Sequence, residues 1–444
     1  MPGWKCGTHH LQLLLLLRPG LRGCTMMASS GGHSRLYAVE PSCSPHCSLS
    51  SPFYFTSKED NACLPETANV WPFLTPRGDA HSMSVTLNSR VQAARLYKSL
   101  GKQLSEVLPG MQVLKLISYI PGKLRESLER GFLILDPQSC SHVQNNLYSL
   151  VREHEQHIQV CTYRGEEGRV WRTQWQLDGQ DKQMERSEVV RVDGPEVSPF
   201  VDILRGSAVF DSLQDTLSVL QEISTLIPEA KKLLEFTDLS NMPEKGPHPV
   251  IVIEGLDATG KSTLTECLKH HLKSALLRSP PDSISQWRKT FDGESSLIKR
   301  AYYALGNYIG AQEIARASQV SPVIVDRYWH STSAYAIATE IGGGIHCLPP
   351  HHHHVYHWPE DLLKPDLVIL LTVCDSERIR RIRGRGLQET QEEKELEANA
   401  MFRQKVEEAY RRMQNPACVV VDASATRETV LKEALRIIKR HCGI

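Results

Sequence analysis

The sequence has no excess of either charge: lysine plus arginine number 51 and aspartate plus glutamate 51. No broad basic field argues for nucleic-acid binding, so any phosphate recognition must be local. It offers no sign of a membrane span either, since the leucine run "LQLLLLL" at 11–17 is too short to cross a bilayer. The 12 cysteines lack a regular framework. Cys43 and Cys47 in "CSPHC" have no second pair at ligand spacing, which argues against a zinc site, and the scattered thiols fit a reduced compartment. Acidic residues are missing before Glu40, whereas Lys5, Arg18, Arg22 and Arg35 are present. That composition suits a mitochondrial transit peptide; a signal-peptide core or a plain tail stays open, although arginines follow the leucine run.

What is present divides the chain. Its 444 residues and 41% hydrophobic content predict two or three globular domains. Residues 1–60 are rich in Ser, Pro, Gly and Cys and are expected to be presequence plus flexible segment. From 61 to 239, helical stretches such as "SRVQAARLYKSLGKQLSEVL" and "FDSLQDTLSVLQEISTLI" alternate with strand-like "MQVLKLISY" and "GFLILD", and "HIQVCTYRGEEGRVWRTQWQL" reads as a hairpin. This predicts a separate α+β domain. It lacks a catalytic constellation, and Trp171 and Trp175 stand at strand alternation, as packing residues do. "SNMPEKGPHP" at 240–249 reads as a linker. From 250 to 444, the runs "VIVIE", "SALLRS", "PVIVD", "DLVILLTV" and "CVVVD" are separated by helix-length segments. Short apolar strands alternating with helices predict an α/β fold, a parallel sheet covered by helices on both faces, with ligands at the strands' carboxyl ends.

The chemistry concentrates there. Gly255, Leu256, Asp257, Ala258, Thr259, Gly260, Lys261, Ser262 and Thr263 follow a Val/Ile strand and open a helix, fitting G-x-x-x-x-G-K-[ST]. In such a loop backbone N–H groups cradle phosphates, Lys261 reaches the β/γ oxygens, Ser262 ligates Mg²⁺ and the helix turns its positive end to the anion. "VDRYWHSTSAYA" ends another buried strand with Asp326 and Arg327, a carboxylate able to organise Mg²⁺ and a guanidinium able to fork onto phosphate; a structural salt bridge is the plainer reading. Arg378, Arg380, Arg381, Arg383 and Arg385 crowd one helix end. Some are a solvated face, but Arg383 and Arg385 flank Gly384 where a hinged lid would begin. The run His351 to His354 reads as a polar loop insertion. A GTPase switch would need an N-K-x-D motif, which is missing, and a non-catalytic nucleotide-binding module would not need intact Lys261, Asp326 and Arg327.

"EGLDATGKST", "DRYWHSTSAYA", "PDLVILLTV" with "RIRGRG", and "VVVDAS", in that order over 248–444, resemble the thymidylate kinase family of nucleoside monophosphate kinases. The resemblance implies small-molecule nucleotides as partners, with ATP and Mg²⁺ passing a phosphoryl group to a nucleoside monophosphate, and it leaves room for a homodimer through the kinase domain. Gly255 to Thr263 match the ATP loop, and Asp257 its carboxylate near the acceptor. Arg327 matches the acceptor-phosphate arginine, Asp326 the adjoining carboxylate, and Arg278 in "LLRSPP" a second acceptor-phosphate arginine. Ala258 stands where some members place an arginine, so the lid should supply one, from Arg383 or Arg385. Tyr302 keeps the family's base-stacking aromatic, but Gly306 occupies the place of a thymine-reading arginine, with Asn307 beside it, and Ala336 replaces a glutamine of bacterial members. An amide offers both donor and acceptor to uracil or cytosine, so the expected acceptors are UMP, CMP and their deoxy forms. With the presequence, the expected location is the mitochondrial matrix.

Overall fold

The computed structural model describes residues 34–41, 49, 51–57, 71, 74, 78–152, 154, 156–175, 185–239, 243–383 and 399–444. The transit-peptide reading of the first residues, the Cys43/Cys47 pair and Arg385 lie outside the described residues. From Ser34 to Ile444 the chain forms one compact unit.

Its N-terminal part is a closed antiparallel barrel of β1 (Leu36–Val39), β2 (Phe53–Ser57), β3 (Asp79–Val85), β4 (Gln112–Tyr119), β5 (Glu129–Asp136), β6 (Ile158–Glu166), β7 (Arg169–Gln174) and β8 (Arg186–Arg191). The strand order is β1-β2-β8-β7-β6-β3-β5-β4, and pairing of β1 with β4 closes the ring, so no strand keeps an open edge. The expected hairpin is β6–β7, turned by Glu167 and Gly168, both at positive φ (51° and 77°) as the tight two-residue turn requires. Tyr37, Phe53, Phe55, Trp71, Leu133 and Tyr163 fill the interior. Outside, α1 (Arg90–Val107) and α2 (Ser141–Arg152) cover Met83, Phe132, Ile134 and Val160.

Residues 1–60 are thus not wholly presequence and flexible segment, because β1 and β2 are barrel staves. Strands of four and five residues between Ser- and Pro-rich flanks carry too little pattern to read, and pairing on both sides makes them regular. Removing residues 1–33 is therefore expected to leave a folded protein, whereas removing 1–60 opens the barrel and uncovers Tyr163 and Trp71. Size-exclusion chromatography of the two truncations checks this; the same monodisperse behaviour from both would show the closing strands to be dispensable.

The C-terminal part is a parallel sheet in the order β10-β11-β9-β12-β13, from β9 (Val250–Gly255), β10 (Ala275–Arg278), β11 (Val323–Asp326), β12 (Leu367–Thr372) and β13 (Cys418–Asp422). Its helices relevant to the site follow α3 (Leu213–Ile223) and α4 (Pro228–Phe236): they are α5 (Lys261–Leu272), α6 (Ser296–Ala317), α7 (Trp329–Glu340), α8 (Asp375–Arg383), α9 (Ala400–Arg412) and α10 (Arg427–Cys442). Ile251, Ile253 and Ile369 pack on one side with α5 and α10, and Val250, Val252 and Val368 on the other with α7 and α9. The expected parallel sheet with two covered faces is therefore present.

The expected separation into two domains is not. Ala38, Tyr54 and Ile117 on the barrel's outer face share a core with Val250, Tyr335 and Ile337, because apolar faces of both sheets meet and neither is left to water. The stretch expected to be a linker is also packed: Gly246 N–H donates to Ser318 Oγ at 2.9 Å, and a Cβ on Gly246 would stand 2.2 Å from the Ser318 carbonyl oxygen. α3 and α4, placed by sequence in the N-terminal domain, pack through Val219, Leu220, Ile223 and Leu233 on Ala301, Leu305 and Ile309 of α6.

Candidate active site

β9 ends at Gly255, whose φ of 144° and tight surroundings favour glycine: a Cβ would lie 2.6 Å from the Leu371 carbonyl oxygen. The loop re-enters a helix at Gly260, again left-handed at φ 97°, and α5 begins at Lys261. This turn aims the first N–H groups of α5 into the loop, where anions are favoured. Lys261 is 7% exposed. Its Nζ donates to the Leu256 carbonyl at 2.8 Å and lies 3.9 Å from Asp257 Oδ1. Burial, helped by the neighbouring Arg327, pushes its pKa down to about 8 against the pull of Asp257, Asp326 and Glu254. A cation destabilised in this way gains most when a polyanion arrives.

Asp326 and Arg327 stand beside the loop because β11 pairs with β9. Ser262 Oγ donates to Asp326 Oδ2 at 3.4 Å, while Asp326 Oδ1 is buried with no hydrogen-bond partner among the described residues. A hydroxyl and a carboxylate with a spare buried oxygen are the oxygen donors Mg²⁺ prefers, so the pair fits that ion. Arg327, at φ 65°, donates from Nη2 to Asp257 Oδ1 at 2.6 Å and from Nη1 to Ser331 Oγ at 3.1 Å. Its guanidinium lies 5.6 Å from the centre of the Tyr335 ring.

The residue that organises this cluster is one the sequence reading passed over. Glu254, wholly buried, accepts from Tyr328 N–H at 2.9 Å, Ser331 N–H at 3.2 Å, Ser331 Oγ at 2.5 Å and Tyr410 Oη at 3.2 Å. Burial pushes its carboxyl above the ordinary range despite these bonds. It ties β9, the start of α7 and α9 together, and through Ser331 it reaches Arg327. A charged residue closing a Val/Ile strand was the available signal. Arg381, named only as one of the crowded arginines, was given no role of its own. It donates from Nη1 to the Thr259 carbonyl at 3.1 Å, from Nη2 to the Ala423 carbonyl at 2.7 Å and from Nε to Glu377 at 2.7 Å, so α8 is anchored on the phosphate loop. The i,i+4 spacing of Glu377 and Arg381 was its signal. Arg383 ends α8, but its side chain lies outside the described residues, as does Arg385.

On the acceptor side the outcome is mixed. Arg278 ends β10 in register with Asp326, and its exposed guanidinium lies 3.5 Å from Asp282. Asn307 is buried, its Oδ1 accepting from Ser279 Oγ at 2.6 Å and its Nδ2 donating to Thr332 Oγ1 at 3.1 Å. Tyr302 must be corrected as a base-stacking platform. It is 0% exposed, lies 4.7 Å from the Phe291 ring centre, centroid to centroid, and donates its hydroxyl to the Ile284 carbonyl at 2.9 Å. α6 is buried nearly all round, so the tyrosine is drawn into the core instead of facing the cleft. Gly306 leaves room for Pro280, whose Cβ would stand 2.7 Å from a Cβ at 306. Beyond the site, His353 of the histidine run is paired with Asp202 at 3.6 Å, and no group of three potential metal ligands occurs among the described residues.

Known proteins match this picture. The family model for thymidylate kinase matches residues 253–434. The human mitochondrial UMP-CMP kinase 2 is 47% identical over 361 residues, 79% of this chain and 80% of that protein. A probable thymidylate kinase 1 of Saccharolobus solfataricus is 26% identical over 200 residues, 43% of this chain and 97% of its own. Among solved structures, thymidylate kinase from Candida albicans is 23% identical, covers 44% of this chain and 92% of its own, and gives a TM-score of 0.35. A deoxyadenosine kinase from M. mycoides with bound dATP is 20% identical over 43% of this chain and 99% of its own, at a TM-score of 0.30. The two structural scores are too low to add to the sequence matches. With a glycine loop, a buried lysine and an Asp-Arg strand end assembled at one rim, and with identity of this extent across four fifths of a relative, the chain belongs to the thymidylate kinase family.

Proposed function

We propose that the chain transfers the γ-phosphate of ATP to a pyrimidine nucleoside monophosphate, UMP, CMP or a deoxy form, giving the diphosphate. One observation carries this reading: Asp257 Oδ1 lies 2.6 Å from Arg327 and 3.9 Å from Lys261, so the acceptor-side and donor-side cations converge on one carboxylate. Two phosphates bound by these cations would meet at a single point. Transfer between them needs alignment and charge neutralisation more than covalent chemistry. The loop N–H groups and Lys261 hold the donor phosphates. Arg327 leaves Asp257 for the acceptor phosphate and keeps its Ser331 contact, which fixes the guanidinium plane. Arg381 holds α8 against the loop, and Arg383 or Arg385 is the arginine we assign to the transferred group. Mg²⁺, held by Ser262 and Asp326, offsets charge on the phosphate oxygens when bound.

The pyrimidine preference rests on α6. An arginine at 306 would collide with Pro280, so the thymine-reading group of the family has no room here. Asn307 stays as the amide nearest that position, oriented by Ser279 and Thr332. The likeness to the human mitochondrial UMP-CMP kinase 2 supports both the pyrimidine preference and a mitochondrial location. Placement in the matrix, and a homodimer through the kinase domain, are further parts of the proposal. Fractionation of a tagged full-length chain and sedimentation equilibrium test them.

The specificity test compares kcat/KM for UMP, CMP, dUMP, dCMP, dTMP and AMP at fixed ATP and Mg²⁺. Pyrimidine acceptors without the 5-methyl group are expected to lead dTMP and AMP by about tenfold or more, the scale set by one unmatched hydrogen-bonding group. If dTMP proves the best acceptor, this account of the pocket fails.

A further inference from the structure

A cavity of about 1220 Å³ lies between the barrel with α1 and the N-terminal end of α6. It is lined by neither the phosphate loop nor Asp326 or Arg327, and the transfer mechanism does not use it. α6 opens into it under unusual terms. Its first turn contains no acidic residue, and the N-cap Ser295 makes no capping hydrogen bond. Ser295 is 2% exposed, yet its Oγ has no partner among the described residues. One turn on, Arg300 lines the same cavity and is 5% exposed. Its Nη2 reaches only neutral oxygens, Thr339 Oγ1 at 3.2 Å and the Tyr335 carbonyl at 3.5 Å. Among the described residues its Nε has no hydrogen-bond partner and it forms no ion pair; the Glu340 carboxylate of the same cavity acts on it only at longer range, and that carboxylate is shared with Lys115 and Arg130.

Most other cations of the cavity are paired with carboxylates, Lys98 and the exposed Arg125 excepted. Arg90 is paired with Asp215 at 3.0 Å, Arg130 with Glu340 at 3.6 Å and Lys299 with Asp292 at 3.4 Å. A buried guanidinium, an unsatisfied hydroxyl and the free N–H groups of a 22-residue helix therefore point at one place and want an anion. The rest of the wall is suited to something larger than inorganic phosphate: Leu87, Ala93, Ala94 and Leu297 give it an apolar side, and the volume exceeds that of an ordinary small-molecule pocket, about 300–1,000 Å³.

We propose that this cavity is a second, non-catalytic nucleotide site, with the phosphates at Ser295 and Arg300 and the base against the apolar wall. It communicates with the acceptor site through α7. Arg300 touches the Tyr335 carbonyl, and the Tyr335 ring lies under Arg327.

The test is calorimetry on the full chain with the catalytic site already filled by a bisubstrate compound, adenosine and uridine joined through a pentaphosphate. UTP added to that complex is expected to bind at one further site per chain, at least about tenfold tighter than tripolyphosphate. Arg300→Gln should weaken it about ten- to a hundredfold, the worth of a charge-assisted contact. Ser295→Asp is the control for folding. It supplies the missing cap and a charge that suits the helix end, so thermal stability should hold or rise while UTP binding falls. No UTP binding to the filled enzyme, or binding unchanged in both variants, overturns the site. Tripolyphosphate binding as tightly as UTP overturns its assignment to a nucleotide. Failure of the kinase reading itself would be seen separately, as failure of the bisubstrate compound to bind.

Discussion

Lys261→Ala is expected to lower kcat by about 10²–10³-fold, the usual cost of deleting a preorganised group that meets charge in the transition state. The wild-type pH profile should report the same residue. Its pKa in the free protein is pushed down from 10.5 to about 8, chiefly by burial. The side chain is thus charged below about pH 8 and neutral above it, which is far earlier than an exposed lysine. Since kcat/KM reports groups of the free enzyme, kcat/KM for ATP should be level below that point and fall by about tenfold per pH unit above it. Bound phosphates restore the charge, so kcat should stay level over the same range. Steady-state kinetics with ATP varied, from about pH 6.5 to 9.5, decides the matter. A flat kcat/KM through that range, or a Lys261→Ala enzyme within tenfold of wild type, removes Lys261 from the role given to it.

Glu254→Ala is expected to destabilise the fold by about 3–5 kcal/mol, because it strands partners of a buried charge. Four donors point at this carboxylate, from Tyr328, Ser331 twice, and Tyr410, and none can turn to water. Burial works against the charge itself, as its raised pKa shows. The residue is therefore costly to keep and more costly to remove. The midpoint of urea unfolding should drop with little change in slope. Glu254→Gln keeps an acceptor but adds amide hydrogens facing the Ser331 and Tyr410 hydroxyls, so it should fall between the two. The activity of Glu254→Gln adds a second readout, since a loosened Ser331 releases Arg327: KM for the nucleoside monophosphate should rise more than KM for ATP. An unfolding midpoint for Glu254→Ala equal to wild type would contradict the bonding described.

In the C-terminal half the sequence alone made the phosphate loop and the parallel sheet legible. A phosphate loop is local: its glycines, lysine and serine sit within nine residues, and the torsions they need are set by those same residues. Parallel strands buried on both faces read as unbroken Val/Ile runs, so β9, β11 and β12 were legible, and with them the rim on which Asp326 and Arg327 stand. The barrel was not. β3, "DAHSMSV", is buried along its whole length, yet half of it is polar. Those polar groups are satisfied only by distant strands, Ser82 by Tyr163 at 3.2 Å, His81 by Thr162 at 3.0 Å and Asp79 by Arg164 at 2.8 Å. Partners some 80 residues away leave no periodic trace. Closure of β1 onto β4 is likewise a tertiary event. Tyr302 shows the same limit in one residue. Its identity matched a stacking position, but which way the side chain turns on a helix buried nearly all round was decided by Phe291 and Ile284. Glu254 and Arg381 needed the fold as well, since a carboxylate earns meaning from the donors around it and an arginine from the carbonyls it reaches. Sequence alone named the candidate phosphate-handling groups; tertiary packing decided what holds them in place, because the holding contacts join segments that no local pattern connects.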